Sequence, residues 1–401
     1  MEINKKTLAN ILRRGTAEII VEEEFIGRLK ENKPLRLKMG FDPSSPDIHI
    51  GHVVGLRKLR QLQELGHKVI LIVGDWTARI GDPSGQSAIR KMLSAKEVEK
   101  NAQTYMEQLF KIVDKDRTQA VYQSEWFGDF DLEKVISLSS KFTVAQFLAR
   151  EDFNKRYKEG KPIAITELLY PLLQAYDSVA IHSDVEFGGT DQKFNLLVGR
   201  DLQIMEGQAP QQCFLVPLLV GTDGNQKMSK SLGNAIGIND SPNDQYGKIM
   251  SLRDELIVTY FDLLTDLENN EVNEIDLAIK SESVNPIDLK KHLALEIVKQ
   301  FHDAKAAEEA KAKFERVVQR GEAPEEMEPV NLKTLHYTSL SHMLVAVNLV
   351  TSVSEAKRLI SQGAVEVNGS KIPADYALEN LQVGDILKAG RRRFIQFIDV
   401  Q

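Results

Sequence analysis

The sequence predicts an α/β fold in three parts: a doubly wound parallel sheet, a helical middle domain, and a small α+β domain at the C-terminal end. Three observations predict it. Apolar strand-like runs alternate with helical stripes as far as about residue 220, the pattern of βαβ units. Beyond Ser231 these give way to long charged stretches rich in Ala, Glu and Lys, and strand signals return only after residue 360. A chain of 401 residues also exceeds the size at which a single core usually stops growing.

Taken in order, Leu35 to Met39 predicts a short strand, and the aliphatic run Val69 to Val73 predicts one buried on both faces. Between them, Leu56, Leu59 and Leu62 recur at helical spacing, with Val53 and Leu65 extending the stripe, so a helix spans His52 to Leu65. Strand, helix and strand at this spacing imply parallel pairing through a right-handed crossover. Val179 to Ile181 and Phe214 to Val220 read as later strands, and Thr190 to Met205 as a helix. Pro242 to Arg320 reads as helical, and the acidic, two-proline stretch Gly321 to Pro329 as a linker. Further on, Ser352 and Glu355 fit a capping box for a helix through Ile360, stopped at Gly363. Val365 to Val367 then enters an Asn368-Gly369 hairpin turn, and Asp385 to Leu387 and Phe394 to Ile398 supply more strands. The expected domains are 1–240, 241–320 and 338–401, with 321–337 as linker.

Composition narrows the function classes. No apolar stretch approaches the roughly 20 residues needed to cross a bilayer, and the N-terminus lacks a signal pattern, so no membrane association and a cytoplasmic location are expected. Cys213 is the only cysteine, which excludes an intrachain disulfide and a redox pair. A net charge of -7 excludes a wholly basic surface but leaves room for local nucleic-acid contacts.

Two motifs carry the chemistry. The first, His49-Ile-Gly-His52, falls where a strand passes into a helix, a place where free backbone N–H groups and the helix dipole attract phosphate. Gly51 permits close approach of a nucleotide, and the two imidazoles reach one face, where preorganised donors stabilise shifting phosphate charge. The second, Lys227-Met-Ser-Lys-Ser231, has no apolar periodicity and reads as a loop able to clamp a polyanion. Taken singly, each is also read as ordinary polar residues at a helix start or in a solvated turn.

Their order and fold context together resemble the signature of class I aminoacyl-tRNA synthetases. Gly81-Asp-Pro-Ser-Gly85, Tyr170-Pro-Leu-Leu-Gln174-Ala-Tyr-Asp177 and Phe187-Gly-Gly-Thr-Asp-Gln192 further resemble the tyrosyl branch. The resemblance implies a Rossmann-like catalytic domain in which a tyrosine carboxylate attacks the α-phosphate of ATP, followed by transfer to tRNA(Tyr). It assigns His49, His52, Lys227, Lys230 and Arg90 to the triphosphate and transition state. Gly40, Asp42, Ser44, Gly51, Asp191, Met228 and Ser229 fall to ATP, with Asp191 at the ribose. Asp82, Tyr170 and Gln174 fall to the substrate ammonium, Asp177 to the phenol hydroxyl, and Gln192 to the reacting carboxyl region. The sequence is compatible: Tyr170, Gln174 and Asp177 share one face of a helix, with Pro171 expected in its first turn.

Two positions depart from the commoner pattern of that branch. Gln86 stands where many members carry a lysine, and Lys38 where many carry a tyrosine that contacts the substrate hydroxyl. Lys38 is then free to pair with a carboxylate. These departures, with Lys193, resemble a second bacterial lineage of the branch.

Residues 338–401 resemble a small RNA-binding domain first seen in a ribosomal protein, in which Lys357, Arg358, Lys371, Lys388, Arg391, Arg392 and Arg393 would contact phosphates. The resemblance further implies ATP with Mg²⁺, no permanently bound metal, and a homodimer. A tryptophanyl enzyme, and a non-catalytic RNA-binding protein on the same scaffold, remain alternatives at this stage.

Overall fold

In the computed structural model of the chain, residues 3–31, 33–84, 92–323, 327–334, 337, 339–390 and 393–399 are described. They form two compact units. One runs to Ser241 and takes in Lys248–Phe301; the other comprises Pro242–Gly247 and the chain from His302 onward. The expected boundary at 240 therefore does not separate units: most of the helical stretch groups with the sheet before it. The cause is side-chain burial. Helix Ile257–Leu264 buries Ile257, Tyr260, Phe261, Leu263 and Leu264, and Arg57 reaches across to the Thr265 carbonyl and, at 2.5 Å, to the Asp266 carboxylate.

Among its described residues the first unit contains six strands, β1 (Glu18–Ile20), β2 (Arg36–Phe41), β3 (Lys68–Val73), β4 (Thr118–Tyr122), β5 (Val185–Gly189) and β6 (Gln212–Val216). Their order is β1-β6-β5-β2-β3-β4, all parallel except the antiparallel edge strand β1. The four helices that matter to the site are α1 (Ile50–Glu64), α2 (Ala95–Leu109), α3 (Ile165–Ala180) and α4 (Lys193–Met205). Chain order departs in opposite directions from the β2–β5 pair, which makes their carboxyl ends a topological switch point where ligands of open α/β sheets bind.

Val179 to Ile181 is not a strand. Val179 and Ala180 end α3, and the Ile181 N–H still donates to the Asp177 carbonyl. The β-branched pair there continues the helical stripe, and the strand begins only after the left-handed turn at His182, φ 49°. Helix α3 also starts earlier than expected, because the Glu167 carboxylate accepts the Ala164 N–H at 2.9 Å and is itself held by Arg156 at 2.5 Å. Pro171 thus lies inside the helix, where it forgoes one backbone bond.

The second unit has its own sheet, β7 (Glu328–Asn331), β8 (Val365–Val367), β9 (Ser370–Lys371), β10 (Ile386–Ala389) and β11 (Arg393–Ile398), in the order β7-β11-β10-β8-β9. Helices α5 (Leu340–Ala346) and α6 (Val353–Ser361) cover it, and Leu344, Val365, Leu387 and Phe397 lie fully buried between the layers. Asn368 and Gly369 both take positive φ, 50° and 80°, as a tight hairpin of this hand requires. Ser352 caps Glu355 N, while Glu355 turns to the Thr351 N–H and hydroxyl. Part of the expected linker is structured, since Glu328 already pairs with Ile395. Among the described residues no helix is long and apolar enough to cross a membrane.

Candidate active site

A cavity of about 920 Å³ opens at the carboxyl ends of β2, β3, β5 and β6, with the first turn of α1 forming one wall. The sheet supplies depth, the βα junctions supply many of the polar groups, and the side of α3 supplies Tyr170, Gln174 and Asp177. Gly40, Asp42, Ser44, His49, Gly51, His52, Asp82, Tyr170, Gln174, Asp177, Asp191, Gln192, Lys227, Met228 and Ser229 all line it. Residues as far apart in the sequence as Gly40 and Ser229 are thereby brought together.

At one end stand the histidines. His49 is the N-cap of α1, and its Nδ1 accepts the Gly51 N–H at 3.2 Å. A ring nitrogen that accepts carries no proton, so the His49 proton sits on Nε2 as a donor. The His52 Nδ1 lies 3.3 Å from both the backbone N and O of His49, and the two rings approach to 4.0 Å. Burial pushes His49 down to about 2, helped by His52 and the two motif lysines, and burial likewise pushes His52 down to about 4. Both rings are neutral hydrogen-bond donors near neutral pH. Gly51 is required here: a Cβ at this position would stand 2.8 Å from His49 Nδ1.

The lysine loop faces them. Met228 N donates to the Leu219 carbonyl at 2.8 Å and Ser229 N to Asn234 Oδ1 at 2.8 Å, so the backbone of the motif is tethered while its lysines are not buried. Lys227 Nζ pairs with Asp191 at 2.8 Å and Lys230 Nζ with Asp47 at 3.1 Å. Lys230 is not among the lining residues, yet its charge acts on both histidines. These half-exposed ion pairs are weak and exchangeable for a polyanion.

The opposite end gathers buried acceptors and carboxylates. Tyr170 donates its hydroxyl proton to Asp42 Oδ2 at 2.8 Å, which leaves its oxygen lone pairs as acceptors. Burial, with Asp42 next, holds that phenol protonated, well above its ordinary range. Asp82 accepts from Ser84 N at 2.8 Å and from Gln192 Nε2 at 2.6 Å. Deeper in, Asp177 accepts from Gln123 Nε2 at 2.8 Å and Trp126 Nε1 at 3.1 Å. Burial raises its carboxyl to about 7 against the opposing pull of Lys38. Lys38 is fully buried, pairs with Glu186 at 2.9 Å, and donates to the Gln174 carbonyl and Ser178 Oγ, each at 2.8 Å.

Of the other expected site residues, Arg90, Arg391 and Arg392 lie outside the described residues, as does Gln86. In the second unit, Lys357, Arg358 and Lys371 are exposed. Lys388 instead pairs with Glu366 at 3.2 Å and Arg393 with Glu355 at 2.8 Å, so both are partly engaged within the domain. The sequence reading missed Thr77, Gln123, Trp126 and Asn195. Gln123 follows β4 directly, so scanning the carboxyl end of every parallel strand finds it; Asn195, inside α4, leaves no such signal.

The family model described as tRNA synthetases class I (W and Y) matches residues 30–319, and the S4 domain model matches residues 342–379. A tyrosine--tRNA ligase of Dehalococcoides mccartyi strain CBDB1 is 58% identical over 398 residues, covering 99% of this chain and all of its own. The tyrosine--tRNA ligase of Thermotoga maritima is 50% identical over 384 residues, covering 96% of this chain and 95% of that one. Among solved structures, a tyrosyl-tRNA synthetase from Archaeoglobus fulgidus complexed with L-tyrosine superposes with a TM-score of 0.62 at 24% identity. It covers 76% of this chain and 99% of that one, and bears on the fold alone.

Proposed function

The chain belongs to the class I tRNA synthetases of the tryptophan and tyrosine type, and from that premise we propose the reaction and the residues that perform it. It is a tyrosine–tRNA ligase. A carboxylate oxygen of L-tyrosine attacks the α-phosphorus of ATP, the bond to the bridging oxygen breaks, and pyrophosphate leaves. A hydroxyl of the terminal tRNA ribose then attacks the tyrosyl carbonyl, and AMP leaves. ATP enters as its Mg²⁺ complex, the ion being part of the substrate.

The observation that carries the reading is one cavity with two chemically distinct ends: neutral imidazole donors and Lys227 at one, with Lys230 just outside the lining, and a buried carboxylate between amide and indole donors at the other. His49, His52, Lys227 and Lys230 hold the triphosphate and its developing charge, with Arg90 completing the set. Gly40, Asp42, Ser44, Gly51, Met228 and Ser229 border the nucleotide, and Asp191 takes the ribose. Asp82, Tyr170 and Gln174 accept from the substrate ammonium, Gln192 faces its carboxylate, and Asp177 accepts the phenol proton. A phenylalanine ring would leave that buried acceptor without its partner, which is how such a site discriminates.

The C-terminal residues from 338 onward bind the tRNA through Lys357, Arg358 and Lys371, with Lys388 and Arg391 to Arg393 as further phosphate contacts. The working enzyme is a cytoplasmic homodimer. Support for a second copy comes from Leu132, Ile136, Val144 and Ile165, which leave 73, 60, 61 and 78% of their surface exposed. The test is amino-acid-dependent exchange of labelled pyrophosphate into ATP. Tyrosine drives exchange in this reading; exchange with tryptophan alone, or none with any amino acid, overturns it.

A further inference from the structure

Beneath the amino-acid end of the cavity, buried side chains form a hydrogen-bond chain whose direction is fixed from both ends. Arg150 can only donate, and its Nη1 reaches Asn195 Oδ1 at 3.2 Å. With its oxygen so occupied, Asn195 turns Nδ2 to Gln174 Oε1 at 3.1 Å and to Gln192 Oε1 at 3.0 Å. Both glutamines are then left with amide nitrogens to place, and each meets a carboxylate. Gln174 Nε2 donates to Glu186 at 3.1 Å, and Gln192 Nε2 to Asp82 at 2.6 Å and, with its second and longer bond, to Ser84 Oγ at 3.2 Å, the contact a substrate carboxylate would replace.

Neither end can reverse. Glu186 is 1% exposed and already accepts from Lys38, Ser178 and Gln211. Arg150 is held by Asp152 at 2.6 Å and stacked 4.2 Å from the Phe153 ring centre. Asn195, itself 1% exposed, is the single branch point.

We infer that Asn195, locked by Arg150, is a positioning residue that sets the polarity of both substrate-facing glutamines, so that Gln174 offers its oxygen to the substrate ammonium and Gln192 its N–H to the substrate carboxylate. This rests on the tyrosine reading above and deepens it. Asparagine is needed because only an amide both accepts from arginine and donates twice. Aspartate, of the same shape, keeps the arginine and presents an acceptor to two acceptors.

The experiment compares three affinities in the full-length Asn195→Asp protein: tyrosine, ATP, and 4-ethylphenol, which has the phenol but neither the ammonium nor the carboxylate. Tyrosine is expected to bind about tenfold or more weakly, the effect of an unpaired buried polar group, while ATP and 4-ethylphenol stay within about twofold. Arg150→Gln, which restores the freedom of Asn195 to rotate, shows the same split in smaller measure and serves if Asn195→Asp does not fold. Unchanged tyrosine affinity, or parallel losses in all three ligands, sinks the inference. Failure of the underlying reading is seen separately, as absence of tyrosine-dependent exchange in the unaltered enzyme.

Discussion

At the scale of single residues, protonation decides what each group does. Asp177 is raised to about 7 by burial, so in its proposed role it becomes the stronger, charged acceptor for a phenol hydroxyl as pH passes upward through that value. Tyrosine affinity of the free enzyme should therefore rise between pH 6 and 8, and Asp177→Asn should bind tyrosine about 10- to 100-fold more weakly and flatten that rise. The same shift acts on folding. A carboxyl with a folded pKa above its unfolded one holds its proton longer in the native state, so this residue weakens stability as pH climbs from about 4 to about 7. The histidines run the other way: depressed below 6.5, they subtract stability as pH falls through 6.5. His52→Ala and Lys230→Ala are expected to lower the rate of activation about 100-fold or more, with the tyrosine dissociation constant within about threefold; equal losses in both would remove their transition-state role. The acceptor and donor types at 49, 52, 82, 170, 174 and 177 were legible in the sequence. The partners were not, because Gln123, Asn195 and Glu186 meet those residues only through tertiary contacts.

At the scale of elements, the critical unit is the first turn of α1. Its opening turn is tied down by the His49 cap and by the Ile50 N–H donating to the Ile236 carbonyl at 2.9 Å. Gly51→Ala would drive a methyl into the His49 ring, whereas at Gly55 the nearest atom is the flexible tip of Met39. Gly51→Ala should thus cut the activation rate at least tenfold while the urea midpoint barely moves, and Gly55→Ala should do less to the rate. Both are read by exchange kinetics and denaturation. Apolar patterning made α1 and β3 readable through a helical stripe and an unbroken buried run, and β2 through Leu37, Met39 and Phe41 around the buried Lys38. It failed at Val179 to Ile181, where β-branched residues end a helix, because a three-residue apolar run has no period of its own.

At the scale of the whole molecule, the second unit holds a core of its own, from Leu340 to Phe397. Alanine at Lys357, Arg358 or Lys371 should weaken tRNA binding about equally for any sequence and lower the salt slope by about one each, leaving tyrosine-dependent exchange untouched. Lys388→Ala should do less to RNA, because its ammonium already serves Glu366. The division of the middle helices between units was beyond the sequence reading, which located composition changes and not the packing of Ile257–Leu264.

The buried pair of Lys38 and Glu186 also constrains how such a chain diverges. The two residues stand opposite each other on β2 and β5, with 0 and 1% of their side chains exposed. Replacing either alone strands a charge in the interior, at a cost on the order of 3–5 kcal/mol, whereas replacing both with neutral partners removes the debt. Lys38→Tyr and Glu186→Gln should each lower the unfolding midpoint sharply, and the double variant should recover most of it. A lineage carrying this pair is then separated from one carrying a tyrosine at position 38 by a fitness valley that single steps cross poorly, so the two types are expected to persist side by side with few intermediates.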